Sequence, residues 1–202
     1  MTRLQEGREI DFAYAHVIKP MQVRSELEEL LSVVRQHRPR VVVEIGTATG
    51  GTLFLLCRHS AEDALVVSID LRRGKFGNGY PHVKIPLYKS FTRNGQKMTL
   101  IRGDSHHPQT FFKAQKSLMK RSIEFLFIDG DHTYEGVKAD FETYSKLVAP
   151  GGLIALHDIA LHPANIGCEV SRFWNEIKGR YRHKELIADQ QQGWAGIGLL
   201  YL

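Results

Sequence analysis

Two hundred and two residues, 43% hydrophobic and 24% charged, suffice for one packed domain with short additions and are too rich in aliphatic and aromatic side chains for disorder. The longest apolar run, LFLLC at 53–57, falls well short of the ~18 residues of a membrane helix. The first twenty residues carry Arg3, Glu6, Arg8, Glu9 and Asp11 with no apolar h-region, so the chain is expected in the cytoplasm with no membrane partner. Cys57 and Cys168 stand alone and far apart, and are expected as reduced thiols without disulfide or zinc roles.

In chain order, Ser25 to Glu28 fits a capping box, and Leu27, Leu30, Leu31 and Val34 then fall on one helical face that Pro39 ends. VVVEIG at 41–46 is a β-branched run suited to a buried parallel strand. A Gly/Thr-rich turn and an apolar helix around Leu53–Cys57 follow it. Further strands are expected at LVVSID (65–70), MTLIRGD (98–104), IEFLFIDGD (123–131) and LIALHD (153–158). Tyr134, Val137, Phe141, Tyr144 and Val148 mark a helix, which PGG at 150–152 stops. A helix near 169–178 precedes two last strands, ELIAD (185–189) and IGLLYL (197–202), close enough for an antiparallel hairpin. The whole reads as an α/β chain: a doubly wound, seven-stranded, mostly parallel sheet with an antiparallel last strand. Residues 1–39 are expected as an N-terminal helical extension and 40–202 as the domain proper.

The net charge of +5 is unevenly placed. Between Asp70 and Asp104 there is no acid, while Arg72, Arg73, Lys75, Lys84, Lys89, Arg93, Lys97 and Arg102 supply eight positive charges, leaving −3 for the remainder. Charge confined to one segment is unlike the basic face of a nucleic-acid binder, so no nucleic-acid partner is expected. The basic loop 71–97 follows Asp70; it reads as a lid, as an attractor of an anionic substrate such as a sugar nucleotide or acyl-carrier group, or as solvated surface, with Tyr80, Tyr88 and Phe91 placed to cover a cofactor or stack on a sugar. Trp174 and Trp194 are expected in the core or at a sheet edge rather than as binding platforms.

Ligands of doubly wound sheets bind beyond the carboxyl ends of the strands. Five consecutive strands here end in acids: Glu44, Asp70, Asp104, Asp129 with Asp131, and Asp158. One such acid is commonly a cap; five in one sheet point to a site. The loop after the first strand reads Glu44-Ile45-Gly46-Thr47-Ala48-Thr49-Gly50, not the G-x-G-x-x-G of a dinucleotide site, and a leading carboxylate suits a cationic ligand better than a diphosphate. Asp70, twenty residues past Gly50, stands where an acid reaches ribose hydroxyls. Together these fit an adenosine that carries an amino acid and a sulfonium. Asp131 and His132, just past the fourth strand, are the candidate bases for taking a proton from a nucleophile, and His132 reads equally as a helix N-terminal residue that points to solvent.

With EIGTATGG, VVSID, LIRGDSH, FLFIDGDHTYEGVKADF, LVAPGGLIALHD and GWAGIG in order, the chain resembles class I S-adenosylmethionine-dependent methyltransferases from about residue 40 onward. Within them it is most similar to the branch of cephalosporin-hydroxylase-type and macrocin O-methyltransferase-type proteins. The resemblance implies a Rossmann-like methyltransferase fold, S-adenosyl-L-methionine as cofactor, and O-methylation of a hydroxylated small molecule, a saccharide or natural product. It implies that Glu44, Gly46, Thr47 and Gly50 hold the methionine end, that Asp70 takes the ribose hydroxyls, and that Asp104 and Ser105 flank adenine, unless these two serve only as the cap of the following helix. In similar macrocin-type enzymes the acid ending strand four joins two acids ending strand five around a divalent metal. Asp129 and Asp158 match, His157 replaces the first of the strand-five acids, and the set suits Mg²⁺ or, given the imidazole, Mn²⁺ or Fe²⁺. A row of strand-end caps without metal is the alternative. Asp131 is the favoured base by the same resemblance, and His106, His107 and His162 are expected as substrate-side or surface residues. Cover for the substrate is expected from the N-terminal helix, the basic loop, 159–170 or a second copy of the chain in a homo-oligomer. An accessory protein that binds the cofactor and serves another enzyme is the competing reading.

Overall fold

β-branched runs bounded by glycine turns build the sheet at the centre of the computed structural model, which describes residues 3–15, 18–73, 79 and 81–202. Its strands are β1 (Val41–Ile45), β2 (Leu65–Asp70), β3 (Lys97–Arg102), β4 (Ile123–Ile128), β5 (Val148–His157), β6 (Arg182–Leu186) and β7 (Ile197–Tyr201), in the spatial order β3-β2-β1-β4-β5-β7-β6. β7 runs antiparallel to both β5 and β6, whereas β1 to β5 pair in parallel. The helices are α1 (Arg3–Ala15), α2 (Arg24–His37), α3 (Gly51–His59), α4 (Ile85–Lys89), α5 (Pro108–Ser117), α6 (Tyr134–Tyr144) and α7 (Val170–Ile177). No helix among the described residues is long and apolar enough to cross a membrane.

Alternation along the strands divides the core in two. Val42, Phe125 and Phe127 pack with Leu27, Leu30, Leu31 and Leu53 on the α1–α3 face. Val41, Val43, Ile45, Leu126 and Ile128 pack with Val137, Phe141, Phe173 and Trp174 on the α6–α7 face. Both faces of the central strands are therefore buried, which is why they read as continuous apolar runs.

Two local expectations are corrected. The capping box at Ser25 does not form: α2 starts at Arg24 behind an extended Val23 with no side-chain cap, so Ser25 already lies in the first turn. The preceding residue Gln22 is buried against the sheet, and that tertiary anchor sets where the helix begins. Likewise α6 ends at Tyr144, a 3₁₀ turn covers Ser145–Leu147, and Val148 opens β5. Pro150, Gly151 and Gly152 lie inside β5 rather than ending a helix. A register shift between Ile123 and Phe125 spares Pro150 a ladder bond that it cannot donate, and the two glycines pair with Leu202.

The N-terminal helices reach across to the last hairpin. Buried Glu26 accepts hydrogen bonds from the backbone of Ala188 (3.0 Å) and Gly196 (3.0 Å) and from Gln192 Nε2 (2.7 Å). Glu26→Ala strands these donors, so urea unfolding should show a loss of about 2–3 kcal/mol, with a smaller loss for Glu26→Gln. Unchanged stability of the alanine variant would refute the role.

Candidate active site

The chain winds outward through β1, β2 and β3 and returns with β4 beside β1, so a crevice opens between the carboxyl ends of β1 and β4. The ladder continues past the strands through Gly46 N–H to Ile69 O (2.9 Å) and Asp129 N–H to Ile45 O (2.8 Å). Gly46 has φ +85°, and a Cβ there would stand 1.8 Å from the Asp129 carbonyl oxygen. Only glycine fits.

The loop after Gly46 is tied down by acids. Asp70 Oδ2 accepts from the backbone of Thr47 (2.9 Å) and Ala48 (2.7 Å), and Oδ1 from Leu71 (2.6 Å). Burial raises the pKa of Asp70, and these three donors offset part of the rise. Glu44 is wholly buried; its Oε2 accepts from Thr47 Oγ1 (2.8 Å), while Oε1 is buried without a partner. Burial pushes the carboxyl of Glu44 well above the usual range. Gly50, at φ +89°, starts α3 against the ring of Tyr88, whose hydroxyl donates to Ala48 O (2.7 Å).

Across the crevice Asp129 and Asp158 sit among imidazoles. Asp129 Oδ1 accepts from His157 Nδ1 (3.1 Å) and Oδ2 from Gln22 Nε2 (2.7 Å). Asp158, in the left-handed region at φ +62°, pairs through Oδ2 with His132 Nδ1 (2.7 Å) and through Oδ1 with His162 Nε2 (3.3 Å) and Ala195 N–H (3.1 Å). Burial disfavours the imidazolium of His132, but the bond to Asp158 and the nearby charge of Asp129 prevail and hold it at about 10. His157 is raised for the same reason by both carboxylates. Burial alone would raise Asp158, yet the histidines hold it far below the ordinary carboxylate range. One oxygen or nitrogen from each of Asp129, His157 and Asp158 lie within 4.8 Å of one another, as do ligand atoms of His132, Asp158 and Cys168.

The remaining candidates divide. Asp131 is half-buried on the loop after β4 and accepts from Thr133 N–H (2.9 Å). Asp104 is exposed and accepts from His106 N–H (2.9 Å), and Ser105 O receives the Tyr144 hydroxyl (3.0 Å). The cap of α5 is His107, not Asp104 or Ser105. His162 is no surface residue but a partner of Asp158, and His106 faces the fully buried Asp140 at 3.3 Å. Tyr88 and Phe91 are buried, Tyr88 against the glycine loop and Phe91 against Phe54; Lys75 and Tyr80 lie outside the described residues. Trp174 is buried as expected and donates to Glu185 (2.6 Å), whereas Trp194 is 47% exposed. Sequence reasoning missed Gln22, whose side chain also accepts from Thr52 Oγ1 (2.7 Å), because no motif surrounds it.

Attraction to Asp140 raises His106 from its ordinary 6.5 to about 9. The stabilisation from this pair is complete below pH 6.5 and lost as pH rises through about 9. Urea midpoints of wild type and His106→Gln should therefore differ at pH 6 and converge at high pH; a constant difference contradicts the pairing. Gly46→Ala should cost at least about 2 kcal/mol through the clash with Asp129 O and the positive φ, read by the same assay.

A methyltransferase-domain family (Methyltransf_24) matches residues 43–159, more than half of the chain. The protein y4gI of Sinorhizobium fredii is 28% identical over 148 residues, 72% of this chain, and protein R132 of Acanthamoeba polyphaga mimivirus is 29% identical over 121 residues, 57% of this chain. The chain spans 16% and 50% of the lengths of these curated relatives. Among solved structures, an O-methyltransferase of Bacillus cereus in complex with SAH superposes with TM-score 0.63 at 17% identity, covering 100% of this chain and 92% of that one. The O-methyltransferase TomG of Streptomyces achromogenes, involved in tomaymycin synthesis and complexed with SAM, gives 0.65 at 16% identity over 100% and 91%. CalS11, a TDP-rhamnose 3'-O-methyltransferase of calicheamicin biosynthesis, gives 0.61 at 15% over 98% and 93%. With the order of its strands, the glycine loop of its first strand and this match across the sheet, the chain belongs to the methyltransferase-domain family and has the class I methyltransferase fold.

Proposed function

We propose that the protein is a cytoplasmic S-adenosylmethionine-dependent O-methyltransferase acting on a hydroxylated small molecule, a saccharide or natural product. The observation that carries this reading is Glu44 Oε1, a buried acceptor with nothing to accept from, on the strand that feeds the glycine loop. The ammonium and sulfonium of the cofactor are the cations such a carboxylate suits. When bound, the cofactor supplies an electrophilic methyl group. The chain then has to hold it through Glu44, Gly46, Thr47 and Gly50, engage the ribose through Asp70 and flank adenine with Asp104 and Ser105. It also has to bring the acceptor oxygen into line with the methyl carbon.

Asp131 is the proton acceptor in this reading. His132 holds its own proton strongly between Asp158 and Asp129 and is poorly placed to take another. Asp129, His157 and Asp158 also fit a divalent ion: a ligand atom from each lies within 4.8 Å of the others, and His157 Nδ1 faces both carboxylates. An imidazole between two carboxylates favours Mn²⁺ or Fe²⁺ over Mg²⁺. Such an ion supplies a Lewis acid that lowers the pKa of a bound hydroxyl. Gln22 Nε2 donates to Asp129 Oδ2 and so orients that carboxylate.

Purified protein, labelled methyl donor and a panel of glycosides and phenols, with and without Mn²⁺, test the activity; cofactor binding with no transfer to any acceptor would favour an accessory role instead. Asp131→Asn should lower kcat about 10²- to 10⁴-fold while S-adenosylhomocysteine still binds. Calorimetry gives a second check on the cofactor site. The raised pKa of Glu44 falls when a cation arrives, so binding should release a proton and tighten as pH rises. Glu44→Gln should weaken binding roughly tenfold and flatten that dependence. A pH-independent affinity identical in the two proteins would remove Glu44 from the site.

A further inference from the structure

A concavity lies away from the acid–histidine crevice. A cleft of about 850 Å³ opens beyond the carboxyl ends of β2 and β3, lined by Leu71, Arg72 and Arg73 after β2, by Arg102, Gly103 and Asp104 at the end of β3, and by Lys113 on α5. Asp70 and Arg102 are paired in the β2–β3 register, so the cleft adjoins the adenosine end of the proposed cofactor site. Four cations from three segments face one acid, and that acid already accepts from His106 N–H. Among the described residues Arg72, Arg73 and Lys113 have no carboxylate partner.

The proposed cofactor does not account for this charge. S-adenosylmethionine is itself a net cation, and nothing on its adenosine is anionic, so four positive side chains beside it oppose its binding. A volume of about 850 Å³ falls within the ~300–1,000 Å³ of ligand pockets. Concave walls focus the field of charges that would be screened on a convex surface, and guanidinium groups match phosphate oxygens in pairs.

We propose that this cleft is an anion subsite that holds the phosphate or diphosphate of the methyl acceptor. The inference rests on the methyltransferase reading above and narrows its substrate class. From β3 or β2 to β4 is two or three strand spacings, so the reacting hydroxyl lies about 10–14 Å from the phosphate, with the cofactor between them. Nucleoside diphosphate sugars and phosphopantetheine-linked compounds share this chemistry.

The test is titration calorimetry with inorganic pyrophosphate on the full chain, alone and with S-adenosylhomocysteine. Pyrophosphate should bind in the presence of S-adenosylhomocysteine. Arg72→Gln and Lys113→Gln should each weaken it roughly tenfold, while S-adenosylhomocysteine affinity stays within about threefold. Lys116→Gln, an exposed α5 residue outside the cleft, should leave pyrophosphate binding unchanged. A nucleoside diphosphate sugar and phosphopantetheine form the two arms that distinguish the sources, and the one that binds should lose affinity in the same variants. The proposal is overturned by absent pyrophosphate binding, by competition between pyrophosphate and S-adenosylhomocysteine, by equal loss in Lys116→Gln, or by failure of both arms. Tighter, steeply salt-dependent binding of a short oligonucleotide overturns it as well, in favour of a nucleic-acid surface. Failure of S-adenosylhomocysteine alone to bind strikes the methyltransferase reading and is seen separately.

Discussion

The parallel pairing of β1 with β4 brings the backbone of Gly46 against the carbonyl of Asp129, and the site follows from that contact. A side chain at position 46 would force the two strand ends apart. Because they meet, the glycine loop, Glu44 and Asp70 on one side share a crevice with Asp129, His157 and Asp158 on the other. The strand order that reverses between β1 and β4 keeps the mouth of this crevice open. Hydrophobic burial on both faces of the sheet holds the strands in register and so supplies the rigidity on which the polar geometry depends.

That geometry concentrates negative charge in a partly dry place. Carboxylates so placed repel one another and lose hydration, and each is compensated differently. Asp70 is met by three backbone donors, and Asp158 by three imidazoles and one amide. Asp129 shares His157 and takes Gln22 from the N-terminal segment. Glu44 keeps one oxygen, Oε1, without a partner. Positive charge lies instead beyond the carboxyl ends of β2 and β3, around Arg72, Arg102 and Lys113. Acid and imidazole thus gather at one end of the sheet's carboxyl edge and basic side chains at the other.

The N-terminal helices are part of this arrangement rather than an appendage to it. Gln22 joins Asp129 to Thr52 of α3, and Glu26 pins the loop before β7, whose Ala195 amide meets Asp158. Through these two residues the segment 18–37 touches both carboxylates of the crevice, directly or through one intermediary.

The sequence by itself determined the strands, their alternation with helices, and which of them end in acids. Those features are local: a β-branched run buries itself on both faces, and a glycine at positive φ marks a turn, whatever lies elsewhere in the chain. Glu44, Gly46, Asp70, Asp129, His157 and Asp158 were legible for that reason. Where helices begin and end was less so, because Gln22 and the β4–β5 register shift, not Ser25 or the PGG run, set those limits. Only the tertiary structure decided that His162 and His132 meet Asp158, that His106 meets Asp140, that Tyr88 backs the glycine loop, and that Lys113 and Arg72 line one cleft. Apart from His162, four residues beyond Asp158, these partners come from segments far apart in the chain, and charge attraction between side chains leaves no periodic trace in the residues around them.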